Sequence, residues 1–145
     1  MKRFVIAMVL VWAYTFSNST LAQTVYEYSD ECIYDVFWRN IKDISTGTRI
    51  RLIFNNGGNS IDGYTYSVDK GAWSNPLRFI RDDDEVTLNG WDLYYRYSTE
   101  FGTLTHSEYI YVKKDKSYVR YEKISVFHEY GGKPFRYKLG YKLTK

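Results

Sequence analysis

The chain has one cysteine, Cys32, in 145 residues. It therefore has no internal disulfide, and any exported fold built from it must rest on packing alone. Three fates stay open for the thiol: a buried inert group, an intermolecular disulfide through Cys32, or a nucleophile. Asp30 and Glu31 sit next to it, and their charge would raise its pKa and disfavour the nucleophile.

Histidine is almost as scarce, with only His106 and His128. Two His and one Cys give no four-ligand set at zinc spacing, so no metal is expected. There is no G-x-S-x-G elbow. His106-Ser107 and His128-Glu129 are neighbours near strand ends, and neighbouring strand residues point to opposite faces. A paired-carboxylate hydrolase needs two acids across a cleft, but the acids here fall in turns. The acidic run 82–85 lacks the alternating ligands and sharp-turn glycine of a calcium loop. The expectation is a chain that is not an enzyme and has no cofactor. An enzyme would need His106 or His128 to meet Cys32, a serine or a carboxylate in a cleft.

Only one long uncharged run exists, and it lies at the start. Lys2 and Arg3 precede an uncharged stretch over 4–16, polar residues follow over 17–20, and Thr20 and Ala22 stand at −3 and −1 of a cut before Gln23. This is the pattern of a secretory signal peptide over 1–22, cleaved after Ala22. It predicts a periplasmic or secreted protein. Thirteen residues are too few for a spanning helix, which needs about 20. The residue directly after the cut is Gln23 and not a cysteine, so no stable membrane anchor is expected. The remaining 123 residues suit a single β-rich globular domain over 23–145.

That domain is rich in tyrosine, with 15 of the 16 in the chain. Tyrosine favours pleated, half-buried surfaces, ring inside and hydroxyl at the edge. The charges are unevenly spread. Residues 23–112 carry 8 basic and 14 acidic groups, while residues 113–145 carry 10 basic and 3 acidic. Either the two parts neutralise each other across strands, or the second offers a basic face to an anionic partner.

One helix is expected, over 29–44. Ser29 can cap it, Asp30 and Glu31 fit its first turn, and Ile33, Val36, Phe37, Ile41 and Ile44 share a helical face. A strand is the rival reading, because Cys32, Tyr34, Val36 and Trp38 alternate. Beyond this segment the pattern is strands and turns. The chain breaks at Asn55-Asn56-Gly57-Gly58-Asn59, and the acidic run is followed by a short strand over 86–88. Trp91, Leu93, Tyr95 and Tyr97 are read as one apolar face, opposite Asp92, Tyr94 and Arg96. The apolar phase changes within 118–127, which suggests a bulge near Glu122-Lys123. In the last strand Phe135, Tyr137, Leu139, Tyr141 and Leu143 share one face, and Arg136, Lys138 and Lys142 the other. The fold class expected is mainly β (α+β). It is an antiparallel meander of about seven strands in a curved sheet or barrel, with one N-terminal helix. A two-sheet β-sandwich is the alternative.

Basic and aromatic residues interleave near the C-terminus, but no RNP motif or glycine clamp accompanies them, so nucleic acid is not an expected partner. The leading expectation is an exported, non-catalytic binding protein, such as an inhibitor or immunity protein acting on a protein partner. Its contact residues would be Trp73, Trp91, Tyr94 and Arg96. Arg136, Lys138 and Lys142 would face an anionic envelope polymer or an acidic protein. The alternative is a β domain that binds a small ligand, a lipid or a glycan. A filled core would favour the first reading, and an open aromatic pocket the second.

Overall fold

The computed structural model describes residues 23–83 and 89–145. The leader 1–22, part of the acidic run and the short strand read at 86–88 lie outside the described residues. Among the described residues there are ten antiparallel strands. They are β1 (Val25–Tyr34), β2 (Asn40–Asp43), β3 (Arg49–Asn55), β4 (Ser60–Ser67), β5 (Ala72–Trp73), β6 (Leu77–Arg81), β7 (Trp91–Glu100), β8 (Leu104–Lys113), β9 (Tyr118–Phe127) and β10 (Pro134–Leu143). Eight of them close a barrel in the order β1-β3-β4-β6-β7-β8-β9-β10, and β10 returns to pair with β1. β2 adds to β1 outside this ring, and β5 adds to β4. A closed ring has no sheet edge to protect, and it replaces the two-sheet alternative.

The barrel interior is filled by alternate residues of every strand. Tyr28, Ile50, Leu52, Ile61, Phe79, Tyr94, Ile110, Val112, Val119 and Tyr141 form the core. Leu139 and Leu143 pack beside Tyr141. β7 is out of the expected phase: Tyr94 is 1% exposed inside the barrel, while Tyr97 on the other face is 66% exposed. Both faces of β7 carry aromatics, so counting apolar residues could not choose between them. The bulge read in β9 is also absent. β9 keeps unbroken register with β8 and with β10, so Ile124 and Val126 simply face outward.

The expected helix over 29–44 does not form. Its first part belongs to β1 and its last part to β2, and among the described residues the helical pieces are two three-residue 3-10 turns. The groups read as helix signals serve other partners. The Asp30 carboxylate accepts from Thr46 N at 2.8 Å and Thr46 Oγ1 at 2.5 Å. Asp35 accepts from the backbone N–H of Phe37 and Arg39 and from Arg39 Nε, closing a tight turn. Trp38 completes this turn at φ 60, which a helix interior does not allow.

A register shift between Asp30 and Cys32 explains why alternation wins. The bulge changes which side the even residues face. Tyr26 and Tyr28 pack with the core, whereas Cys32 and Tyr34 stand on the outer surface opposite Gly140 and Lys138. There the β1–β2 hairpin folds over β8, β9 and β10 as a strap. The Trp38 ring meets Tyr34 and Tyr111 edge-on, each at 5.4 Å. Arg120 lies over Trp91 at 4.7 Å and Trp38 at 5.1 Å, and Lys138 Nζ lies 4.1 Å from the Trp38 ring. Lys138 Nζ also donates to Val36 O at 2.9 Å and pairs with buried Glu122 at 3.6 Å.

This second core covers Cys32, which is free and 2% exposed. A disulfide to another chain would require the strap to lift. Trp38→Ala should loosen it by removing the ring that Tyr34, Tyr111, Arg120 and Lys138 share. The Cys32 thiol should then react with a thiol reagent at least about tenfold faster in native buffer, since a loss of about 1.4 kcal/mol in local closing free energy has that effect. An unchanged rate would mean that Trp38 does not hold the cover.

Candidate functional site

The strands β7 to β10 are ten residues each, longer than β3, β4 and β6 on the opposite wall. At one end they overhang the shorter strands. Beneath this overhang the lumen contains a cavity of about 270 Å³. Its walls are mostly apolar or aromatic: Ile50, Leu52, Phe79, Ile110, Leu139 and Tyr141. Thr48, Thr65, Leu77 and Tyr137, all near strand ends, form its mouth. Leu77 and Tyr137 are 39% and 38% exposed there.

Gly63 helps make the space. It faces inward from β4, and a Cβ there would stand 3.3 Å from the Phe79 ring and 3.7 Å from Leu52. A strand glycine in a packed wall removes volume that any other residue would fill.

A carboxylate lies in this apolar wall. Glu108 is 5% exposed. Its Oε2 accepts a short hydrogen bond from Arg96, and its Oε1 accepts from Tyr121 Oη at 2.5 Å. The Tyr121 ring lies 5.8 Å from that of Tyr137 at the mouth, tilted by 56°. The burial cost of the carboxylate is offset by two charge-assisted hydrogen bonds. A line of polar groups thus runs from Arg96 through Glu108 and Tyr121 toward the opening.

The opposite end of the barrel is polar. A cup of about 600 Å³ is lined there by Tyr26, Phe54, Tyr94, Arg81, Asp92 and Lys116, among others. Asp92 lies between Arg81 at 3.3 Å and Lys116 at 3.7 Å. Tyr94 donates from its hydroxyl to Gly58 O at 2.8 Å.

The residues singled out from sequence do not form one face. Arg96 belongs to the lumen, and Tyr94 is core with only the polar cup beyond it. Trp73 lies outside, stacked by Arg51 at 4.1 Å and edge-on to Tyr66. Trp91 packs outside against Arg120 and Tyr118. Lys138 is 6% exposed beneath the strap, whereas Arg136 and Lys142 are exposed. Glu108, Tyr121 and Gly63 were not singled out. The available signal was a lone acid on the inward parity of Ile110 and Val112.

His106 does meet a serine and a carboxylate. Its Nδ1 lies 2.8 Å from Ser125 Oγ, and its Nε2 lies 3.4 Å from Glu100 Oε1. Three features weigh against a nucleophilic triad. Ser125 sits mid-strand, paired to both His106 and Phe135, so its backbone N–H is used in the sheet and none is free to form an oxyanion hole. The Nε2 atom is buried and makes no hydrogen bond. The carboxylate contact is longer than a good hydrogen bond. Among the described residues no group of three His, Cys, Asp or Glu side chains is arranged to hold a metal.

Burial raises the pKa of several phenols by desolvation. Tyr94 is pushed up to about 12, and Tyr121 and Tyr141 are also raised. A raised phenol keeps its proton in the fold beyond the pH at which the unfolded chain loses it. The stability it contributes is complete below about pH 10, the ordinary tyrosine value, and falls as pH rises toward 12. Urea midpoints should therefore be level from neutral pH to about 9.5 and drop steeply above 10. The ultraviolet ionisation step of the buried phenols should coincide with unfolding.

Compared with known proteins, the chain matches no family model, no curated protein and no solved structure.

Proposed function

We propose that this is an exported, non-catalytic binding protein whose barrel lumen holds the apolar part of a small ligand. The observation that carries this reading is the cavity of about 270 Å³ under the overhang, apolar in its walls and open at its mouth. A pocket of about 150 Å³ is enough for benzene, so this one suits a bicyclic ring or a short acyl chain. An eight-stranded barrel is about the width at which side chains either fill the interior or leave room for one small molecule. The chain does the former in its middle and the latter at one end. Export rests on the leader 1–22.

The inhibitor or immunity-protein reading has weaker support. Of its proposed anchors, Tyr94 and Arg96 face the barrel interior and Lys138 lies under the strap. Of the remaining anchors, Trp91 and Lys142 both lie beside Tyr118, whereas Trp73 lies beside Tyr66 and Arg136 is paired with Ile124, away from them.

The test is fluorescence titration of the chain, processed by a secreting host, with the neutral dye N-phenyl-1-naphthylamine. Saturable one-to-one binding is expected, with displacement by a medium-chain alcohol. Leu77→Trp should narrow the mouth and weaken binding about tenfold, the effect of losing about 1.4 kcal/mol. Lack of saturation, or equal binding by Leu77→Trp, would count against the lumen as the site.

A further inference from the structure

We infer that the overhanging end of the barrel is a contact surface for an anionic lipid bilayer, from which the lumen takes an acyl chain. The acyl chain rests on the lumen reading above; the bilayer contact stands on a separate set of residues. Three phenylalanines project at this end. Phe101, at the β7–β8 tip, is 94% exposed, Phe135 is 65% exposed and Phe127 45%. They share one edge, because His128 N donates to Thr103 O at 2.9 Å and ties the β9–β10 connection to the β7–β8 tip. Leu104 is paired with Phe127, and Ser125 with Phe135.

Phe101 is the informative residue. It lies in the three-residue loop 101–103 between the paired Glu100 and Leu104, at φ 53, and is followed by Gly102 at φ 69. Positive φ favours Gly, Asn or Asp, and a bulky ring there is strained. The side chain gains nothing in return inside the molecule, since it is almost fully exposed. A strained residue with an exposed apolar ring points to a contact outside the fold.

Charge selects the kind of surface. Lys133 and Arg136 flank Phe135 and are exposed. Of the nearby acids, Glu100 lies toward His106, which leaves Glu129 as their main opponent. Aromatic rings bordered by cations suit the headgroup region of an anionic bilayer, where rings enter the interface and cations meet phosphates. The cavity mouth opens at this same end, so an acyl chain drawn from the bilayer would reach the lumen without crossing bulk water.

The experiment is vesicle flotation of the secreted chain, with phosphatidylcholine alone and with added phosphatidylglycerol. Stronger flotation with phosphatidylglycerol is expected, weakened by salt. Phe101→Asn relaxes the turn and so should fold at least as well. It should lower the vesicle partition coefficient about tenfold, and Phe101→Asn with Phe135→Thr should lower it further. Dye binding in the lumen, measured without lipid, should be unchanged in Phe101→Asn. No flotation with either vesicle, or undiminished flotation of the double variant, overturns the bilayer contact. So does concentration-dependent dimerisation that the double variant abolishes, which would make a second copy the partner. Loss of dye binding alone, with flotation intact, would remove the lumen reading and leave the bilayer contact standing.

Discussion

Replacing Glu108 with alanine should destabilise the barrel by about 3–5 kcal/mol, the usual cost of removing one member of a buried ion pair. Glu108 is 5% exposed, and the Arg96 side chain keeps 21% of its surface. Without the carboxylate, the guanidinium stays in an apolar wall beside Phe79 with its charge unanswered. The Tyr121 hydroxyl also loses its acceptor. A domain of this size has about 5–15 kcal/mol in total, so the urea midpoint should fall by about a fifth or more. Glu108→Gln should lie between, because the amide oxygen can still accept from Arg96 while its NH2 donates to the Tyr121 hydroxyl, but the side chain carries no charge. Combining Glu108→Leu with Arg96→Met should restore much of the loss, since an apolar pair of similar volume often matches a buried ion pair. A loss under about 1 kcal/mol in Glu108→Ala would mean that water enters the lumen and solvates Arg96.

The reach of the sequence can be judged from particular residues. Strand alternation in β10 put Leu139, Tyr141 and Leu143 on one face, and that face is the one packed inside. The predominance of antiparallel β structure was legible in the same way. Closure of the ring was left open between a curved sheet and a barrel, because pairing between β10 and β1 joins segments from opposite ends of the chain. The helix expected over 29–44 failed for a related reason. Its apolar residues do follow a 3.6 period, but the bulge after Asp30 gave Cys32 and Tyr34 a place on the outer surface, beside Tyr118 and Gly140. That partner set is non-local. In β7, aromatic residues on both faces left the phase undetermined, and it was set by Asp92 and Arg96 finding partners inside the barrel. The cavity had no local signature beyond Gly63 and a single inward acid.

Gly140 makes the same point by experiment. In sequence it is an isolated glycine in the most regular strand, where alanine should help by about 0.5–1 kcal/mol through backbone entropy. In the fold it lies under the strap. A Cβ there would stand 2.8 Å from the Tyr34 ring and 2.9 Å from Cys32 Sγ, and would collide with the Tyr118 hydroxyl. These groups are fixed by one another: Tyr118 Oη is 3.0 Å from Tyr34 Oη and 3.4 Å from Cys32 Sγ. Gly140→Ala should therefore cost about 1–3 kcal/mol from overpacking, reversing the sign expected from propensity. Gly63→Ala, with its nearest contact at 3.3 Å on the edge of an open cavity, should cost less than Gly140→Ala. Tyr118→Phe removes the atom closest to the new methyl group. The double variant Tyr118→Phe with Gly140→Ala should recover part of the loss, giving a coupling of at least about 0.5 kcal/mol in a double-mutant cycle. Simple additivity would show that the clash is relieved by backbone movement of β10, and the strap would then be a looser cover than its contacts suggest.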